Sequence, residues 1–280
     1  MTVISPNYGK TSILATTPFE TDKLIIMSDI NPEWRLVPIG RGSFASVSIL
    51  SGRPVAFKHV IVRERSGELK TEFEVIRALY DICDTTDTFF GVPRPLAFYD
   101  PHNSTSYFSA SSPPLKSRRQ PLVNESDFKL LEFDNAAYAM DQVLPLPLST
   151  AKTIHTLFYP PNMSKALDPT LCRLYFGKVI KELGPDGLPK RFFNSANFPL
   201  DVSRYRKLLE VTVGDGCLYP SVEEIAYGMG EMLGCVHWRA GYDGRDVEFV
   251  MDRASFSGLV MYMIDFNQVC RCLLLLRLGP

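Results

Sequence analysis

The sequence predicts an α+β fold of two lobes, an antiparallel-sheet N-lobe and a mostly helical C-lobe. Strand-like runs dominate the first half of the 280 residues and helix-like runs the second. A glycine turn, Ile39-Gly40-Arg41-Gly42-Ser43-Phe44-Ala45-Ser46-Val47, precedes Val55-Ala56-Phe57-Lys58 and a helical stretch carrying Glu72. Far downstream, the apolar run Val260–Ile264 ends in Asp265-Phe266-Asn267.

Local pattern justifies each element. Residues 1–30 are polar and turn-rich, an N-terminal extension with one strand-like run at Leu24-Ile25-Ile26-Met27. Trp34–Leu50 alternates enough to read as two strands joined by the glycine turn. Pro54–Val62 is a third strand. Gly67–Ile82 is a helix whose apolar face repeats at helical spacing through Leu69, Phe73, Ile76, Leu79 and Tyr80. Glu72 sits at the edge of that face, an unusual place for an exposed charge. Pro93–Tyr99 is another strand. Residues 101–127 are Ser-, Pro- and Asn-rich, contain Lys116-Ser117-Arg118-Arg119, and read as a long mobile insertion. Phe128–Phe133 and Ala136–Val143 read as a strand pair that completes the N-lobe, 31–143. The C-lobe, 144–280, begins at Pro145-Leu146-Pro147 and carries helices over Pro169–Leu183, Pro199–Val211 and Ser221–Arg239. The last opens on Ser221-Val222-Glu223-Glu224, a capping-box pattern. Phe249-Val250-Met251 and Leu259–Phe266 are short strands.

A net charge of −1 gives no global pull toward nucleic acid or a membrane surface, so any such contact needs a local patch. The six cysteines are scattered, mostly within apolar runs, which suits a reducing compartment, the cytoplasm, better than a disulfide framework. The start, Met1-Thr2-Val3-Ile4-Ser5-Pro6, lacks the pattern of a signal peptide. The apolar stretch around Leu273–Leu276 is too short to span a bilayer, and no membrane partner is expected.

Four segments can carry chemistry. Gly40 and Gly42 allow a backbone to approach a phosphate, Ser43 follows them, and Ala45 stands where a third glycine would complete the loop. The plain alternative is an ordinary hairpin turn. Lys58 ends an apolar strand, a position that points an ammonium into a cleft toward phosphate or carboxylate. Glu72, on the core side of the next helix, is its expected partner, because burying either charge alone costs several kcal/mol. Asp243, Asp246 and Glu248 fall within six residues. They read either as a solvated turn or as a catalytic loop in which Asp243 is a general base and Glu248 holds a cation or guanidinium. Asp265 ends an apolar strand, and Asn267 behind it tolerates positive φ.

Two further patterns are weaker. Cys235, His237, Cys270 and Cys272 could be read as zinc ligands, but spacings of one residue are poor for structural zinc, and buried thiols are the expectation. Basic residues Arg173, Lys178, Lys181, Lys190, Arg191, Arg204, Arg206 and Lys207 are interleaved with Tyr175, Phe176, Phe192, Phe193 and Tyr205. Solvated helix faces explain them most simply; a local RNA backbone track is the sharper reading.

The order of these pieces resembles the phosphate-binding parts of a protein-kinase-like fold. Asp243 and Glu248 have the Asp-to-Asn spacing of a kinase catalytic loop, and Asp265-Phe266-Asn267 resembles the Asp-Phe-Gly metal motif. The departures are Glu248 for Asn, Ala45 for the third glycine, Asn267 for the last glycine, and Gly241 two before Asp243. Val55–Lys58, Tyr138-Ala139-Met140-Asp141, Gly234–Arg239 with Asp246–Val250, and Ile264–Asn267 together resemble a fungal family of unknown function, often labelled zinc-finger proteins. The resemblance covers roughly residues 35–272 and extends to the fungal arginine-containing cyclodipeptide synthases.

That resemblance implies an enzyme that joins two aminoacyl-tRNAs, arginyl-tRNA and a second one, into a cyclic Arg-Xaa dipeptide without cofactor. Aminoacyl-tRNA is already an activated ester, so ATP and metal are dispensable. A base is needed for the attacking α-amine, donors for the oxyanion and acids for the guanidinium. The resemblance offers Asp243 or Glu248 as base, Asp265 or Glu248 for arginine, and Lys58 with the Gly40–Gly42 amides for the tRNA 3′ end or oxyanion. Two other readings stay open. One is a Mg-ATP phosphotransferase with Asp243 as base and Asp265 and Glu248 on metal. The other is a pseudokinase-like binding module.

Overall fold

The glycine turn closes a hairpin. Leu36–Arg41 (β1) and Ala45–Leu50 (β2) pair antiparallel around it in the computed structural model, which describes residues 35–103, 107–109, 123–159, 167–180, 197–212, 219–253 and 259–271. The expected strand at 24–27 and most of the expected insertion at 101–127 lie outside the described residues. The remaining strands, in chain order, are Val55–Val60 (β3), Phe90–Gly91 (β4), Pro95–Tyr99 (β5), Phe108–Ser109 (β6), Ala137–Asp141 (β7), Leu171–Leu174 (β8), Asn197–Leu200 (β9), Tyr242–Asp243 (β10), Glu248–Arg253 (β11), Leu259–Ile264 (β12) and Cys270–Arg271 (β13). The α-helices are Ser66–Thr85 (α1), Glu125–Leu130 (α2), Leu148–Phe158 (α3), Val202–Thr212 (α4) and Val222–Gly234 (α5). The chain is thus α+β, and the described residues belong to one compact unit.

The first sheet has six strands in the order β1-β2-β3-β7-β5-β6, every pair antiparallel. Strands β3 and β5 are buried almost end to end because this sheet is covered on both faces. Helix α1 covers one face with Leu69, Phe73, Ile76 and Leu79, and the Phe73 ring lies 5.7 Å from both Phe98 and Tyr138. Helix α2 plugs the other face with Phe128, whose ring sits 5.5 Å from Phe57 and 6.0 Å from Phe133.

This corrects the expected strand at Phe128–Phe133. Asn124 and Asp127 form a reciprocal capping box that starts α2, and Glu132, at φ 53°, turns the chain back after it. The alternation of Phe128-Lys129-Leu130 misleads because burying Phe128 against the sheet decides the conformation.

The second half holds more strand than expected. Strands β4-β12-β11-β8-β9 form a mixed five-stranded sheet, with β4–β12 and β8–β9 parallel and the other pairs antiparallel. Strand β8 lies inside the expected helix Pro169–Leu183. Its burial alternates, Cys172 and Leu174 facing the core and Leu171 and Arg173 the opposite side. Pairing with β9 and β11, not local propensity, makes it a strand. Helix α4 and helix α5 fall on two expected helices, the latter capped by Ser221 and Glu224 as its sequence predicts. Helix α5 runs into a π-helical turn, Cys235–Arg239. Helix α3, after Pro147, had no expected counterpart.

Candidate active site

Lys58 is the centre of the site. Strand β3 places it between Val47 of β2 and Tyr138 of β7, with 7 % of its surface exposed. Its Nζ lies 2.6 Å from Glu72 Oε1 and 3.1 Å from Asp265 Oδ1. The Tyr138 hydroxyl donates to the same Glu72 oxygen at 3.3 Å, and the Phe44 ring lies 5.7 Å from Nζ. Glu72 Oε2 is buried with no partner among the described residues. Burial disfavours the Lys58 charge, but Glu72 and then Asp265 more than offset it, so the ammonium titrates above its ordinary value.

The hairpin β11–β12 brings two more carboxylates to this point. Glu248 opens β11 opposite Ile264, so it stands beside Asp265 at the end of β12. Arg173, from β8, forms an ion pair with Glu248 through Nη2. Burial pushes the Glu248 carboxyl above its ordinary value; Arg173 opposes this, Asp265 adds to it, and Lys58 opposes it again. Asp265 Oδ1 accepts from Lys58, and Oδ2 has no hydrogen-bond partner among the described residues.

A cavity of about 410 Å³ opens here, lined by Arg173, Leu174, Tyr175, Asp246, Val247, Glu248, Phe249, Asp265, Asn267 and Gln268. Asp246 and Asp265 hold left-handed backbone, at φ 56° and 62°. Non-glycine residues adopt that region at a cost, and such costs concentrate at functional sites. Two of the three such residues among those described line this one cavity.

The structure therefore brings together Lys58, Glu72, Glu248 and Asp265, with Asp246 on the same cavity. Asp243 does not line it. Asp243 lies on β10, paired with β13, and its carboxylate is held 2.8 Å from Arg245 Nε. Gly40, Gly42 and Ser43 are exposed; Gly42 N donates to Ala45 O at 2.9 Å, and a Cβ at Gly40 would meet nothing within 4 Å. Arg173, expected on a basic helix, stands instead on β8 and pairs with Glu248.

Of the basic track, Lys181, Lys190, Arg191, Phe192 and Phe193 lie outside the described residues. Lys178 stands 5.4 Å from the Tyr175 ring, and Arg204 packs 5.3 Å from the Phe198 ring while donating to Pro199 O. Of the four zinc candidates, Cys235 is buried, Cys270 exposed, and Cys272 lies outside the described residues. Among the described residues, no helix is long and apolar enough to cross a membrane. Trp238, on the π-helical turn, is 74 % exposed.

No protein-family model, curated protein or solved structure matches this chain. The site's chemistry is read from its own groups: a buried lysine shared by two carboxylates, a third carboxylate already holding a guanidinium, and a polar cavity before them.

Proposed function

We propose that the chain is a cytoplasmic aminoacyl-tRNA-dependent transferase that forms a cyclic dipeptide, cyclo-Arg-Xaa, on a kinase-like two-lobe scaffold. The observation that carries this reading is Glu248 on Arg173: where a phosphotransferase scaffold has a metal-binding amide, this chain has a carboxylate committed to a guanidinium. The carboxylates of Asp246, Glu248 and Asp265 on one cavity favour a cationic organic group.

The reaction needs no external activation. The α-amine of one aminoacyl group attacks the ester carbonyl of the other, and the tRNA 3′-hydroxyl leaves with a proton. The free amine of the dipeptidyl ester then attacks the remaining ester and closes the ring, releasing the second tRNA. Asp265 is the base we assign to the attacking amine, since Oδ2 is open and Oδ1 is anchored by Lys58. Lys58 supplies positive charge for the tetrahedral oxyanion. Glu248 binds the arginine side chain.

The test is mass spectrometry of a reaction containing the chain, total tRNA, amino acids, ATP and charging enzymes, with and without RNase. An RNase-sensitive Arg-containing cyclic dipeptide is expected and names the second residue. Its absence beside an active charging control overturns the reading. A Mg-ATP phosphotransferase is the second reading, favoured by Lys58 bridging Glu72 and Asp265. A thermal shift with Mg-ATP, together with transfer of phosphate to a small-molecule acceptor, supports that one instead.

A further inference from the structure

The cavity carries three carboxylates, on Asp246, Glu248 and Asp265, against one guanidinium, on Arg173. Lys58 is already committed to Glu72 and Asp265. The space in front of the carboxylates therefore favours a further cation. Arg173 itself is incompletely held. Nη2 meets Glu248 and Nη1 donates to the Tyr175 hydroxyl at 3.0 Å, but Nε is buried with no acceptor among the described residues. A guanidinium offers five donors in a planar fork, and a purely structural arginine in a buried setting has its buried donors satisfied. The Arg173 side chain also keeps 30 % of its surface exposed, which gives it an outward path.

We propose that Arg173 is an internal occupant of a cation subsite, and that a guanidinium-bearing substrate group displaces it from Glu248. The inference rests on the aminoacyl reading above and deepens it by naming the group recognised and the residue that gates entry. An incoming guanidinium takes over the Glu248 carboxylate and gains Asp246 alongside it. An uncharged side chain of the same length cannot, because it leaves Glu248 desolvated without a counter-ion. Arg173 thus sets specificity by competition: only a ligand that replaces its charge opens the subsite.

Calorimetric titration of the full chain with arginine amide, and with citrulline amide as its uncharged isostere, tests this. Wild type binds arginine amide and not citrulline amide. Self-occupancy lowers apparent affinity by the fraction of open cavity, so Arg173→Gln tightens arginine amide binding about tenfold. Glu248→Gln abolishes it. Unchanged or weaker binding by Arg173→Gln overturns the proposal. Should that variant not fold, the Arg173 Nε–H NMR signal of the wild type decides, assigned with Arg173→Lys. It moves on saturation with arginine amide if Arg173 is displaced, and an unmoved signal overturns displacement. Binding without any RNase-sensitive product overturns the transferase reading and leaves the subsite standing. Product formed by a chain whose Arg173 never moves overturns the subsite alone.

Discussion

Lys58 and Asp265 stand 207 positions apart in the chain and meet at 3.1 Å. The bond joins the third strand of the first sheet to the end of the β11–β12 hairpin. Because Glu72 holds the same ammonium at 2.6 Å, helix α1 enters the same tie. One buried cation thus ties β3, α1 and the end of β12 together at the edge of the cavity.

Removing that cation has a predictable cost. Lys58→Met leaves Glu72, 2 % exposed, as an unpaired buried carboxylate. Urea denaturation at neutral pH is expected to show a loss of about 3–5 kcal/mol, with most of it recovered in Lys58→Met/Glu72→Met. The pH dependence has a definite sign. The folded lysine titrates above its ordinary 10.5, so its contribution is full below 10.5 and is lost as pH rises through the raised value. Wild type and single variant should therefore converge in alkali. A single variant as stable as wild type at neutral pH removes the ion pair from this account.

Much of this centre was legible in the sequence. Lys58 announces itself by ending an apolar strand, Glu72 by sitting on a helix's buried face, and Asp265 by closing another apolar strand. Each signal is local: a period of two or of 3.6 that a charge interrupts. Arg173 gave no such signal. Its strand is four residues long and exists only through partners at Asn197–Leu200 and Glu248–Arg253. Helix α2 departs from expectation for the opposite reason, since Phe128–Phe133 is apolar enough for a strand while the deciding cap, Asn124 with Asp127, begins just before it. Whether Asp243 or Asp265 faces the cavity was equally undecidable from spacing, because it depends on how β10 pairs with β13.

Asp252 yields a second pH prediction. It is 2 % exposed, and burial raises its carboxyl from 3.8 to about 6 although the Leu144 and Arg253 backbones hydrogen-bond to it. Between those values the folded state binds more protons than the unfolded one, so stability falls as pH rises. The fall amounts to on the order of 3 kcal/mol. Asp252→Asn keeps one accepting oxygen and removes the titration. We expect the variant to lack the decline between pH 4 and 6 and to exceed wild type at pH 7, measured by urea denaturation across that range. A decline of equal slope in both proteins assigns the effect elsewhere.

Two glycines on helix α5 should respond in opposite directions. A Cβ at Gly228 would lie 2.5–2.8 Å from the Phe89 side chain, including its Cβ, so the helix or the ring must shift. Gly228→Ala should cost about 1–3 kcal/mol from overpacking, more than alanine's helical preference returns. Gly230, two residues on, is exposed and meets nothing within 4 Å. Gly230→Ala should gain about 0.5–1 kcal/mol. Thermal melts of the two variants test the packing of α5 on Phe89; equal effects would contradict it.

Asp265, the base we assign, differs from the two that the resemblance offered, Asp243 and Glu248. Asp265 lines the cavity with one oxygen open and the other on Lys58, whereas Asp243 is turned to Arg245. If Asp265 takes the proton from the attacking amine, Asp265→Asn lowers cyclic dipeptide formation by about 10²–10⁴-fold. Because Asn still accepts from Lys58, folding should survive, which circular dichroism checks. Asp243→Asn should leave product formation within a few-fold of wild type, its loss confined to the Arg245 pair on the surface. The reverse pattern, a dead Asp243→Asn and an active Asp265→Asn, moves the base to the β10 turn and requires the substrate to approach from outside the cavity. Loss of activity in both would mean that the β10–β13 pairing, not the proton, is what Asp243 contributes, and a Tm for Asp243→Asn below that of wild type would identify that case.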